Sequence, residues 1–173
     1  LREHTGLMRN LMIRNTRKGD WMVNVIFAKD EPDNRELLLN AISQKFNPHA
    51  LNYCINVKLN DSTFDQTFIS YKGNFEIQEE LNGLKFNISP KSFFQTNPVQ
   101  AEKLYEVALN FAEISKNDVV YDLYCGTGTI TCLAASRAKK AIGVEIIDEA
   151  IQAAKINASI NDITNVEFLV GDM

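Results

Sequence analysis

Asp122-Leu123-Tyr124-Cys125-Gly126-Thr127-Gly128, followed by Gly143-Val144-Glu145, is the stretch that decides the fold. Val119 to Tyr124 reads as a short, mostly apolar strand that ends in a loop where side chains would obstruct a ligand. Gly126 and Gly128 let the backbone turn there and let a cofactor lie against it. A helix to about Ala138, a strand from Ala141 to Glu145, a helix capped by Asp148 and running to about Ile160, and a strand from Val166 to Val170 complete the pattern. This alternation predicts a parallel sheet with right-handed crossovers, an α/β fold of the Rossmann-like kind. Glu145 then stands at the carboxyl end of the second strand, where open α/β sheets bind their ligands. Its carboxylate suits the two hydroxyls of a ribose, and each charge-assisted hydrogen bond of that type is worth about 1.5–3 kcal/mol.

The loop also discriminates between nucleoside cofactors. A dinucleotide fingerprint carries a third glycine where this chain has Thr131. Asp122, two residues before Tyr124 and four before Gly126, suits a ligand with an ammonium group and no pyrophosphate. S-adenosylmethionine answers that description.

Upstream, the junction string Ser92-Phe93-Phe94-Gln95-Thr96 leads to Asn97, a helix cap, with Pro98 in the first helical position, where a missing N–H costs nothing. That helix is expected to run to about Ile114, with Ala101, Leu104, Ala108, Phe111 and Ala112 on one face. Residues 1–90 read as a separate small α+β domain. It has strands at Leu7–Arg14 and Trp21–Ala28, then a helix with Asp33 as N-cap and Glu36 three residues on. Leu38, Ile42 and Phe46 share a face of that helix, Pro48 marks its end, and Leu51–Leu59 is the next strand. Phe75–Leu81 and Leu84–Ser89 flank Asn82-Gly83, the strongest short hairpin signal. Residues 91–173 make the second domain.

Composition bounds the rest. The chain has 173 residues, 45% hydrophobic and 23% charged, which is normal for a globular protein and excludes general disorder. No apolar run is long enough to span a bilayer, and the N-terminus carries no secretory signal pattern. Three cysteines, Cys54, Cys125 and Cys132, form no C-x-x-C pair, so a disulfide framework or cysteine zinc site is not expected and a reducing cytoplasm is. His4 and His49 lack a carboxylate-rich partner motif, so no metal site is expected. The formal charge is −4, yet Arg2, Arg9, Arg14, Arg17 and Lys18 against Glu3 and Asp20 give residues 1–20 a net +3, leaving −7 on the other 153. A short basic end on an acidic body suits local phosphate contact, and a solvated charged hairpin is the plainer alternative.

Ser89-Pro90-Lys91-Ser92-Phe93-Phe94-Gln95-Thr96-Asn97, Gln100-Ala101-Glu102, the Asp122–Gly128 loop and Gly143-Val144-Glu145 together resemble the RNA uracil-C5 methyltransferases, which make 5-methyluridine in 23S ribosomal RNA or in the tRNA T-loop. His4-Thr5-Gly6-Leu7-Met8-Arg9 and the Asn82-Gly83 hairpin resemble that family's central domain, so the likeness covers essentially the whole chain. It implies cofactor contacts from Gln95, Tyr124, Glu145 and Asp172, beside Asp122, Gly126 and Gly128. It also implies RNA as partner. Arg9, Arg14, Arg17 and Lys18 are the candidates for RNA-backbone contact, because phosphate contacts supply most non-specific affinity, and Phe93 and Phe94 are candidates to stack on a flipped base, with core packing the plainer alternative.

In that family a cysteine thiolate adds to C6 of uracil, C5 takes the sulfonium methyl, a base removes the C5 proton and the cysteine leaves. The resemblance puts that cysteine, a D-P-P-type motif and the base glutamate beyond Met173, and a cluster-binding cysteine region of some members before Leu1. The chain is then expected to be a cofactor-binding fragment, inactive alone, with no catalytic residue of its own and a truncated sheet edge that invites self-association. Cys125 is expected to be a small buried loop residue and not the nucleophile, and Cys54 and Cys132 to be core. The competing readings are a methyltransferase of a non-RNA substrate and a non-catalytic binding module.

Overall fold

A computed structural model describes residues 5–172. Arg2, Glu3 and His4, read above as part of the basic end and of the family-like string, therefore lie outside the described residues. The chain divides into two compact units, residues 1–78 with 88–91, and residues 79–87 with 92–173. This differs from a boundary near residue 90 in one respect, the hairpin 79–87, which belongs with the second unit.

In the first unit β1 (Met8–Asn15), β2 (Trp21–Phe27), β3 (Ala50–Ile55) and β4 (Ile69–Gly73) form a sheet in the order β1-β2-β3-β4. β1 runs antiparallel to β2 with a bulge at Arg9, and β2 runs parallel to β3 through the crossover helix α1 (Pro32–Phe46). Val23, Val25 and Phe27 on β2 and Leu51 on β3 form a core with Leu39, and Leu38 and Ile42 pack beside it. Phe46 instead stands exposed, one turn past that contact. The helix starts earlier than a cap at Asp33 requires. Glu31 is the N-cap, Pro32 takes the first position, and Asp33 lies within the first turn. β3 also stops four residues short of Leu59. The buried Asn56 side chain donates to the carbonyls of Asn60 and Ser62, both at 3.0 Å, which turns the chain into a loop and leaves Val57 and Leu59 in solvent.

The second unit is built on three parallel strands, β7 (Val119–Asp122), β8 (Lys140–Glu145) and β9 (Val166–Val170), in that order. Between them run α3 (Thr129–Ala135) and α4 (Asp148–Ser159), preceded by α2 (Pro98–Phe111). Asp148 is the first residue of α4 and not its cap, which is Ile147. The cap expected at Asn97 is present, its side chain accepting from the Gln100 N–H. The buried face of α2 is Ala101, Tyr105 and Leu109, while Leu104 and Phe111 are exposed. Tyr105 takes this face because it lies four residues from both Ala101 and Leu109, and burial pushes its phenol pKa up.

Helix side chains such as Leu133, Ile151 and Ala154 pack with Val120, Ala141 and Phe168 of the sheet. Tyr121 and Leu169, which alternate with those strand residues, are exposed, although parallel sheets are ordinarily covered on both faces. The hairpin β5 (Ile77–Leu81) and β6 (Leu84–Ile88) turns through Asn82 and Gly83, both with φ positive, and sends Leu81 and Phe86, fully buried, into the helix-side core.

Candidate functional site

The loop after β7 is held against β8 by backbone: Cys125 N–H donates to the Val144 carbonyl at 3.0 Å, and Gly128 N–H closes back on the Cys125 carbonyl at 2.8 Å. Gly126 and Gly128 have φ of 53° and 80°, where a side chain is strained. Gly128 is needed for a second reason. A Cβ there would lie 2.9 Å from the Ala154 Cβ and 3.0 Å from the Phe168 ring. Gly143 on β8 is crowded in the same way, with Cys125 Sγ and Phe168 each 2.8 Å from the position of a Cβ. Close packing behind the loop is thus supplied by Gly143 and Gly128. The position of the missing third glycine, Thr131, does other work: its buried hydroxyl donates to Asp122 Oδ2 at 2.7 Å and fixes that carboxylate at the strand end.

Glu145 points back at the loop. Its Oε2 accepts from Gly126 N–H at 3.2 Å and its Oε1 from Ile147 N–H at 3.1 Å. Each carboxylate oxygen accepts more than one hydrogen bond, so two hydroxyl donors can still be taken with the ring of contacts intact. Asp172 follows β9 one residue after Gly171, whose N–H donates to the Glu145 carbonyl at 3.0 Å, and its side chain is exposed.

Beside the loop lies a pocket of about 250 Å³. Asp122, Tyr124, Gly126, Gln95 and Tyr105 line it, with Phe93, Phe94, Leu104 and Ile130 as its apolar wall. Tyr124 is 81% exposed and offers its ring to solvent at the strand end, whereas Gln95 is half-buried. Phe94 packs on the core with its ring centroid 6.4 Å from that of Phe86, while Phe93 stands 77% exposed at the rim. Of the seven cofactor residues expected from the sequence, Gln95, Asp122, Tyr124 and Gly126 meet on this pocket; Gly128, Glu145 and Asp172 lie outside its lining. Sequence reasoning missed Tyr105 and Thr131. Thr131 had a signal, a polar residue where the glycine pattern breaks.

The described lining contains no Lys or Arg, and burial pushes the Cys125 thiol up to about 12 with the Asp122 and Glu145 charges adding to the effect. With Asp122 as its one charged side chain, the described lining favours a cation and disfavours a pyrophosphate. Cys132 is likewise pushed up to about 12 and Cys54 to about 11, both by burial, so all three remain thiols at neutral pH and none is an activated nucleophile.

The four basic residues expected to contact RNA sit on the first unit. Arg17 and Lys18 are exposed in the β1–β2 turn, where Thr16 Oγ1 accepts from Asp20 N–H at 3.1 Å. Arg9 and Arg14 lie half-buried on β1, and burial lowers the pKa of the Arg14 guanidinium from its ordinary value. His49 is a structural residue of the same end. Its Nδ1 accepts from Trp21 N–H at 3.2 Å and its Nε2 lies 3.0 Å from Asp20 Oδ1. No helix among the described residues is long and apolar enough to cross a membrane.

Residues 114–173 match the family described as a methyltransferase domain. An RNA methyltransferase of Porphyromonas gingivalis, named as uncharacterized, is 47% identical across the whole chain, which spans 37% of that relative. One of the same description from Bacteroides thetaiotaomicron is 44% identical, again across the whole chain and 39% of the relative. The chain thus spans less than half the length of the curated relatives it matches. Among solved structures, the Pyrococcus abyssi tRNA (uracil-54, C5)-methyltransferase in complex with S-adenosyl-L-homocysteine superposes with a TM-score of 0.79 at 26% identity, over 99% of this chain and 41% of that one. The fold is therefore the Rossmann-like fold of S-adenosylmethionine-dependent methyltransferases.

Proposed function

We propose that this chain is the cofactor-binding part of an S-adenosylmethionine-dependent RNA methyltransferase that forms 5-methyluridine in ribosomal or transfer RNA. The observation that carries the reading is the Glu145 carboxylate folded onto the Gly126 amide at the carboxyl edge of the parallel sheet, next to a pocket with a fixed carboxylate, Asp122, and no cationic lining. Those residues fit the cofactor: Asp122 suits its ammonium, Glu145 its ribose diol, and Tyr124, Gln95 and Asp172 complete the set together with the two glycines. The bound group supplies an electrophilic methyl. This chain's part is to orient that group and to shield it with Phe93, Phe94 and Ile130. The first unit, residues 1–78 with 88–91, is read as the RNA-contacting domain, and the second, which takes the hairpin 79–87 with 92–173, as the cofactor domain.

Arg9, Arg14, Arg17 and Lys18 are the proposed RNA contacts, because phosphate neutralisation supplies most sequence-independent affinity. The nucleophile of a uracil-C5 reaction is none of Cys54, Cys125 or Cys132, given their burial, so the chain alone is expected to turn over nothing. Its bare sheet face, with Tyr121 and Leu169 exposed, favours self-association in isolation.

Titration calorimetry with S-adenosylhomocysteine and with NAD tests the assignment. Binding of the first, lost by about tenfold or more in Glu145→Ala, is expected; binding of NAD alone overturns it. An RNA affinity unchanged when Arg9, Arg14 and Arg17 are neutralised would instead favour a non-RNA substrate.

A further inference from the structure

Asn157, in the last turn of α4, and Asn161, two residues past its end, link two parts of the second unit that are far apart in sequence. Asn157 is fully buried although polar. Its Nδ2 donates to the carbonyl of Thr127, between the two site glycines, at 3.0 Å, and its Oδ1 accepts from Asn87 N–H on β6 at 2.9 Å. Asn161 holds the hairpin and the helix end: its Oδ1 accepts from Lys85 N–H at 2.8 Å, and its Nδ2 donates to the Lys85 carbonyl and to the Asn157 carbonyl, both at 2.7 Å, with no bond to the loop. One side-chain amide thus serves β6 as a neighbouring strand would, and the other divides itself between hairpin and loop.

We infer that Asn157 is a positioning residue for the Gly126–Gly128 loop, setting the loop's Thr127 carbonyl against the hairpin so that the ligand-facing backbone is held in one shape before anything binds. A buried carbonyl in a turn with two positive-φ residues has few other donors within reach, and the polar atom that meets it comes from outside the loop. The inference rests on the cofactor reading only in naming what the loop holds.

Amide hydrogen exchange separates the two, since it needs no ligand. In Asn157→Asp the acceptor toward Asn87 is kept and the donor toward Thr127 becomes a second acceptor. The amides of Gly126 and Gly128 are expected to exchange at least about tenfold faster, Asn87 to stay protected, and S-adenosylhomocysteine affinity to fall by about tenfold. Asn161→Ala is expected to expose Lys85 while leaving loop exchange and affinity within about twofold of the parent. Loop exchange unchanged in Asn157→Asp, or loosened equally by Asn161→Ala, overturns the inference. Should the aspartate variant not fold, the parent chain decides: Asn87 and Gly128 amides opening with the same denaturant dependence support the link, and separate openings refute it. A parent chain that binds no S-adenosylhomocysteine yet shows the exchange pattern sinks the cofactor reading and leaves this one standing.

Discussion

Gly83 and Gly128 have the same φ, 80°, and end up under opposite constraints. Gly83 closes the hairpin in open space, with nothing within 4 Å of where a Cβ would sit. Gly128 closes the site loop against Ala154 and Phe168. The first glycine answers to backbone conformation alone. The second answers to conformation and to packing, and the packing is what lays the loop flat along the sheet edge. Two turns that look alike in sequence therefore differ in how much structure depends on them.

The largest effect separating them is expected from Gly128→Ala, where left-handed strain and overpacking add to a loss of about 2–5 kcal/mol, read as a lower urea midpoint, together with lost S-adenosylhomocysteine affinity. Gly143→Ala isolates the packing part. Its backbone is unstrained, but a Cβ meets Cys125 and Phe168, so about 1–3 kcal/mol is expected, with partial recovery when Cys125→Gly is added. Gly83→Ala isolates the conformational part at about 1 kcal/mol, with ligand affinity unmoved; a change in affinity there would break the comparison.

A smaller effect follows from pH. Cys125 is held at about 12 against an ordinary 9.0, so its neutral form is favoured in the folded protein. The stability this supplies is complete below pH 9 and is lost as pH rises toward 12, because the unfolded chain ionises first. Urea midpoints measured from pH 8 to 11 should fall only above about 9, and faster exchange should appear at Gly126 and Gly128 before Gly83.

What could be read from the residues were the features with local causes. The alternation from β7 to β9, the Asn97-Pro98 helix start and the Asn82-Gly83 turn each rest on neighbours in the chain, and β9 has the expected ends. Features decided by distant partners escaped. β3 stops at Ile55 because Asn56 bonds residues further along, and β4 is a short, mostly exposed strand that exists through its pairing with β3. In the site, the facing of Glu145 toward the glycine loop followed from strand order, whereas Thr131 and Asn157 act through hydroxyl and amide bonds that spacing does not reveal. A polar residue beside the apolar row Ile151, Ala154 and Ala158 was the available sign of Asn157.

The hairpin's allegiance has a practical side. Leu81 and Phe86 plug the helix-side core of a unit whose other residues begin at Ser92. A shortened protein starting at the apparent boundary near residue 90 would keep every strand and helix of the parallel sheet and still leave a hole where those two side chains sat, at about 1.5–3 kcal/mol for each. Anyone dissecting the molecule should cut ahead of Ile77, so that the plug travels with the socket it fills.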